Sequence, residues 1–153
     1  LSPLGCRAMP ADRSTDAAPT QLVLVTPILG DPASFAASLE TALAAGPVAA
    51  VIARFEACDD RTLVNRIKAL APLVQGRGAA LMVEAPVEVA ARAGADGIHL
   101  TYAPEALSDA VSRLAPQRMV GVGGLRSRDD AMAAGEAGAE VLIVCCVHVG
   151  LSG

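Results

Sequence analysis

The stretch AGADGIHL, residues 93–100, is echoed forty-four residues further on by AGAEVLIV, residues 137–144. In both copies small residues flank a glycine, an acid follows, and an apolar run begins. That order fits a helix that stops on a glycine and turns tightly into a strand, because glycine enters left-handed backbone at little cost. The interval holds two strand–helix units of about 22 residues each, so the repeat predicts a chain built from βα units.

Working outward from the repeat, the same alternation covers the chain. QLVLVTP (21–27) reads as a short buried strand ended by Pro27. After a turn at Asp31-Pro32, Phe35, Leu39, Ala42 and Leu43 recur at helical spacing until Gly46-Pro47. VAAVIARF (48–55) is a second strand. Asp59 or Asp60 caps the next helix, whose apolar face is Leu63, Val64, Ile67, Leu70 and Val74. Pro72 bends or tightens its last turn, and GRG (76–78) ends it. AALMVE (79–84) is the third strand, after which Pro86 takes a first helical position and Gly94 stops the helix. DGIHL (96–100) is the fourth strand; Ala106, Leu107, Ala110, Val111 and Leu114 line the helix after it. RMVGVGG (118–124) is the fifth, Ser127 with Asp130 opens the fifth helix, and EVLIVCCVHVG (140–150) is the sixth strand.

The strands are continuously apolar rather than alternating, which means that both faces are covered. This is the mark of an α/β fold with a parallel sheet and helical crossovers. Short units of even length favour a (βα)8 barrel over the alternative, an open doubly wound parallel sheet. A full barrel typically takes ~200 residues or more, so a chain of 153 is expected to hold an incomplete one of about six units.

Composition narrows the function classes. At 53% hydrophobic and 18% charged, the chain can bury a core and form one domain. The net charge is −4, no basic stripe stands out, and the only aromatic residues are Phe35, Phe55 and Tyr102. Nucleic acid recognition needs cationic patches and stacking rings, so it is not expected. No apolar run approaches the ~18 residues of a membrane span. Cys6, Cys58, Cys145 and Cys146 show no zinc-type spacing and read as idle thiols of a reducing cytoplasm, the expected location. Residues 1–20, rich in Pro, Ala and Ser, read as a disordered lead without the apolar core of a secretory signal, with Met9 a candidate start.

From Gln21 to about Val144 the chain resembles the thiamine phosphate synthase family, with its TenI-type relatives. The resemblance is carried by the strand–turn–helix rhythm, by VAAVIARF, by AGADGIHL and by VGVGGLRSRDDAMAAGEAGAE (120–140). It implies a (βα)8 barrel with its site at the carboxyl ends of the strands. It also implies Mg²⁺-assisted joining of an aminopyrimidine diphosphate to a thiazole phosphate, with release of pyrophosphate. The partner is then a small phosphorylated metabolite.

Carried over residue by residue, the family's Gln-x-Arg-x-Lys falls on Ile52, Arg54 and Glu56, which leaves Arg54 to grip a diphosphate. The alternative for Arg54 is an ion pair with Glu56 or Asp59. The family's Asn-Asp-Arg falls on Glu84, Ala85 and Pro86; Glu84 is the candidate metal carboxylate, or else a capping or solvated acid. His-Leu-Gly-Gln-x-Asp falls on residues 99–104, keeping His99 and placing Pro104 at the second metal acid. His99 is a substrate contact or a packed barrel residue. Gly123 and Gly124 offer backbone N–H groups to a phosphate, with Arg126 nearby, or form a plain tight turn.

Residues 145–153 do not read as family sequence, and a frameshift or premature stop near residue 144 is the expected origin of that tail. Cys145, Cys146 and His148 are then not expected to carry chemistry. An open six-strand sheet is expected to self-associate through its edge strands. Besides the synthase, two readings remain: a non-catalytic TenI-like phosphate-ligand-binding protein, and a different phosphate-handling barrel enzyme.

Overall fold

The structure is a computed structural model and describes residues 20–143. The expected lead, apart from its last residue, and the expected tail with Cys145, Cys146 and His148 lie outside the described residues. In chain order the elements are β1 (Leu22–Leu29), α1 (Pro32–Ala44), β2 (Val48–Phe55), α2 (Asp60–Gln75), β3 (Ala80–Val83) and α3 (Val87–Ala93). They continue with β4 (Gly97–Thr101), α4 (Pro104–Leu114), β5 (Met119–Gly123), α5 (Arg128–Glu136) and β6 (Val141–Leu142).

The strands pair in parallel in the order β1-β2-β3-β4-β5-β6, forming a curled half-barrel. A doubly wound sheet reverses its strand order at a switch point. Here each new strand is added on the same side, as in a barrel wall.

The core fills the space between the convex face of the sheet and the helices. Val51 and Ala53 of β2, Leu81 and Val83 of β3, and Val120 and Val122 of β5 meet Leu39, Ile67, Leu70, Val74, Val89 and Leu107 from the helices. Complete burial of one such aliphatic side chain is worth ~1.5–3 kcal/mol, so this layer is the main source of stability. The concave face carries the intervening residues, among them Ile52 and Met82, which are also fully buried.

The repeat explains itself in this frame. Gly94 ends α3 in the left-handed region at φ 76°, and Gly138 takes φ 102° at the matching point after α5. Asp96 N–H then donates to Leu81 O at 2.8 Å, and Glu140 N–H to Val120 O at 2.9 Å, so both copies make the same first step into the preceding strand. In the first copy the Asp96 carboxylate also accepts from Leu81 N–H at 2.7 Å and from Gln75 at 3.1 Å. The acid of this motif therefore stitches the amino end of the sheet together, opposite the end where barrel sites lie.

Two local expectations change. Pro27 does not end β1, which runs on to Leu29. The register jumps between Val25 and Ile28, so Thr26 and Pro27 together face the single residue Ala53. Proline is tolerated at such a bulge on an edge strand because no ladder N–H is needed there. Pro86 is the residue before α3, in extended backbone at ψ 148°, rather than its first helical residue.

Candidate functional site

The residues singled out in the sequence meet on the concave face at the carboxyl ends of β2 to β5. Register brings them there. Ala53 pairs with Val83, and Val83 with Ile98. One residue on, Arg54, Glu84 and His99 stand side by side. Arg54 pairs with Ile28 on one flank and His99 with Gly121 on the other.

Arg54 is set by the β1 bulge, where its backbone N–H donates to the buried hydroxyl of Thr26 at 3.0 Å. Its side chain donates from Nε to Glu84 Oε2 at 3.3 Å. The ion pair is therefore made across strands to Glu84, and not to Glu56 or Asp59. Glu56 turns toward the end of β1, where a Cβ on Gly30 would lie 3.0 Å from its Oε2. Asp59 is taken up in capping α2, accepting from Thr62 N–H at 3.2 Å.

Glu84 is neither a cap nor a free acid. Its backbone N–H is held by Ala53 O at 3.1 Å, and α3 starts without a side-chain cap. Its second oxygen, Oε1, lies 3.4 Å from His99 Nδ1. That contact is an electrostatic approach and not an aligned hydrogen bond, since neither ring nitrogen of His99 has a hydrogen-bond partner among the described residues.

The His99 ring is 11% exposed and packs across the glycines of β5. A Cβ on Gly123 would lie 3.0 Å from its Cε1 and 3.1 Å from its Nε2; one on Gly121 would lie 2.8 Å from Met82 Cε. These glycines are small because an imidazole and a thioether occupy the space where their side chains would be. Gly124, exposed and at φ 71°, provides the turn out of β5. Beyond it the start of α5 is satisfied from within: Asp130 N–H donates to Ser127 Oγ at 3.0 Å, and Arg126 N–H to Asp130 Oδ2 at 3.1 Å. An anion at that helix start would have to displace the Asp130 carboxylate.

Two residues of the site were not singled out in the sequence, Thr26 and Met82. A threonine before a proline near the end of an edge strand is a bulge signal, and it could have marked Thr26. Nothing local marks Met82.

The donor set does not fit a divalent cation. Among the described residues no three His, Cys, Asp or Glu side chains converge. The one carboxylate at the centre, Glu84, is already engaged by a guanidinium and faced by an imidazole. Ala85 and Pro104 stand where the resemblance expects acids.

Comparison with known proteins agrees with the fold. The family described as thiamine monophosphate synthase matches residues 22–150. The thiamine-phosphate synthase of Rhodospirillum centenum is 38% identical over 120 residues, covering 78% of this chain and 58% of the relative. That of Hyphomonas neptunium is 33% identical over 126 residues, 79% of this chain and 57% of the relative. Among solved structures, a thiamine phosphate pyrophosphorylase from Pyrococcus furiosus superposes with a TM-score of 0.65 at 25% identity, over 80% of this chain and 58% of that one. A structure described as native KDPGal superposes with a TM-score of 0.58 at 19% identity, over 82% and 60%, a likeness of fold alone. The chain thus spans less than three fifths of the length of these curated relatives. With residues 22–150 matched to the family and two relatives more than 30% identical over more than three quarters of this chain, the chain belongs to the thiamine monophosphate synthase family.

Proposed function

We propose that this half-barrel is a thiamine-phosphate-synthase-like domain whose concave carboxyl end receives a phosphorylated metabolite. The reaction class is the condensation of an aminopyrimidine diphosphate with a thiazole phosphate, releasing pyrophosphate. The observation that carries the reading is the row Arg54–Glu84–His99, held at the strand ends of a chain that belongs to this family.

Arg54 is the anion holder. A guanidinium on a strand fixed by a bulge loses little freedom on gripping two phosphate oxygens. As diphosphate departs, negative charge concentrates on its oxygens, and a cation already in place stabilises it. His99, seated over Gly121 and Gly123, gives the site a polar wall and orients the bound group. Mg²⁺ belongs to the chemistry implied by the family, but the donor set of the described residues does not fit it.

The second reading is binding without turnover, as in a TenI-like protein, and the residues that favour it are Ala85 and Pro104. Two measurements separate the readings. Calorimetry with the pyrimidine diphosphate and the thiazole phosphate reports binding, and a coupled assay reports pyrophosphate release. Release above background that is lost in Arg54→Ala supports the synthase. Binding lost in Arg54→Ala without any release supports the ligand-binding protein. No binding of either compound overturns both.

A further inference from the structure

We propose that Glu84 is the built-in counter-charge of Arg54 and His99 and not a cation ligand, so that the anion-accepting end of this chain works without a divalent metal. The inference rests on the reading of Arg54 as an anion holder and deepens it. Three observations carry it. Glu84 spends one oxygen on Arg54 Nε at 3.3 Å and turns the other to His99 Nδ1 at 3.4 Å. Glu84 and His99 are not joined by a third His, Cys, Asp or Glu side chain into a group that could hold a cation among the described residues. Its backbone is held by the β2 edge, so the carboxylate is anchored between the two groups that it faces.

The arrangement has two consequences. Because Glu84 takes Nε, the two terminal nitrogens of the Arg54 fork remain for a second acceptor, and the fork is oriented before that acceptor arrives. The carboxylate also competes electrostatically with any incoming anion. Arg54 and Glu84 are 40% and 39% exposed, so solvent screens this competition, and it is modest. Glu84 is thus a positioning residue: it trades affinity for orientation. A metal ligand would behave in the opposite way, since its removal would weaken an anion held through the metal.

The test is calorimetric titration of the full chain with inorganic pyrophosphate, once with excess magnesium and once with EDTA. Wild type is compared with Glu84→Gln and Glu84→Ala, and circular dichroism melts establish that each is folded. Binding persists in EDTA. Glu84→Gln keeps an acceptor for Arg54 but loses the charge, and tightens pyrophosphate about fivefold under both conditions, as one charge at ~4 Å in a water-like medium would. Glu84→Ala, which loses the oriented acceptor as well, gains less. In ligand-free protein, Glu84→Gln shifts the His99 imidazole ¹⁵N resonances.

A requirement for magnesium, or weaker binding in Glu84→Gln, overturns the inference and leaves the anion reading standing. Equal gains in the Gln and Ala variants overturn the positioning role, and unmoved His99 resonances overturn the contact beneath it. If folded wild type and variants take no pyrophosphate under either condition, the anion reading itself falls.

Discussion

Gly97 sits where β4 begins, and a Cβ there would collide with Met119 O on β5. Backbone cannot yield as a side-chain tip can, so Gly97→Ala must pry β4 from β5. The expected cost is about 3 kcal/mol, at the upper end for overpacking, read as a drop in the urea midpoint. The neighbouring Asp96 is needed for a different reason. Its carboxylate accepts from Leu81 N–H and Gln75, so Asp96→Ala leaves the Leu81 N–H without its partner, at about 2 kcal/mol, while Gln75 keeps its bond to Gly94 O. Asp96→Asn keeps an acceptor oxygen and costs less than half of that. Because these residues lie at the amino end of the sheet, pyrophosphate affinity per folded molecule stays unchanged in Asp96→Asn; a fall would tie the motif to the site. The word AGADG is thus legible as structure: Gly94 answers to a turn, Asp96 to a donor and Gly97 to a close approach, and Ala93 and Ala95 are buried in the core.

At the scale of elements, α3 and α4 are tied by Arg113, which bonds Glu88 across the two helices and Asp109 within α4 at 3.5 Å. The hydrogen bond from Arg113 holds the Glu88 carboxyl below its ordinary value, and the same bond raises the guanidinium. Asp59 at the start of α2 is also held low, first by the Thr62 hydroxyl and then by the Thr62 N–H. A carboxyl whose value is depressed by folding adds stability that is fully present above its unfolded value and is lost as pH falls through the folded one. Acid titration of the wild type therefore shows a loss of stability beginning near pH 4.5, and the loss is smaller in Glu88→Gln and in Asp59→Asn. A pH dependence identical in all three proteins would mean that these bonds are lost in solution. Elements of this kind were readable because helix periodicity and caps are local: Gly94 and Ser127 stand at the helix ends where the pattern put them. The site was readable only by residue type. That Arg54 meets Glu84 rather than Glu56 depends on register between β2 and β3, set by pairings thirty residues apart, and on a bulge at Thr26 and Pro27.

For the whole molecule, the sheet leaves β1 as an edge, and this strand is unusually apolar for one. On its concave side Val25 is 54% and Ile28 57% exposed, and Leu22 and Val23 are also open. Native sheets protect such edges with charge, cover or closure, because a row of unpaired N–H and C=O groups beside apolar side chains is a template for another chain. Nothing among the described residues covers β1 on its outer side, and the bulge at Thr26 and Pro27 is what blunts it. The described half-barrel is therefore expected to associate through β1. Sedimentation velocity across a hundredfold range of concentration should show a weight-average mass that rises with concentration. Val25→Lys with Ile28→Lys should suppress the rise. The Lys pair adds charge to an edge that is already solvated, so thermal stability should change little, whereas a buried position would not tolerate it. The same substitutions lie beside Arg54, since Ile28 is its partner in register, and they test how far the edge and the site are independent. Pyrophosphate affinity that rises with the added lysines, while association falls, places the anion site on the single chain. Affinity lost together with association would mean that the site is completed by whatever covers β1.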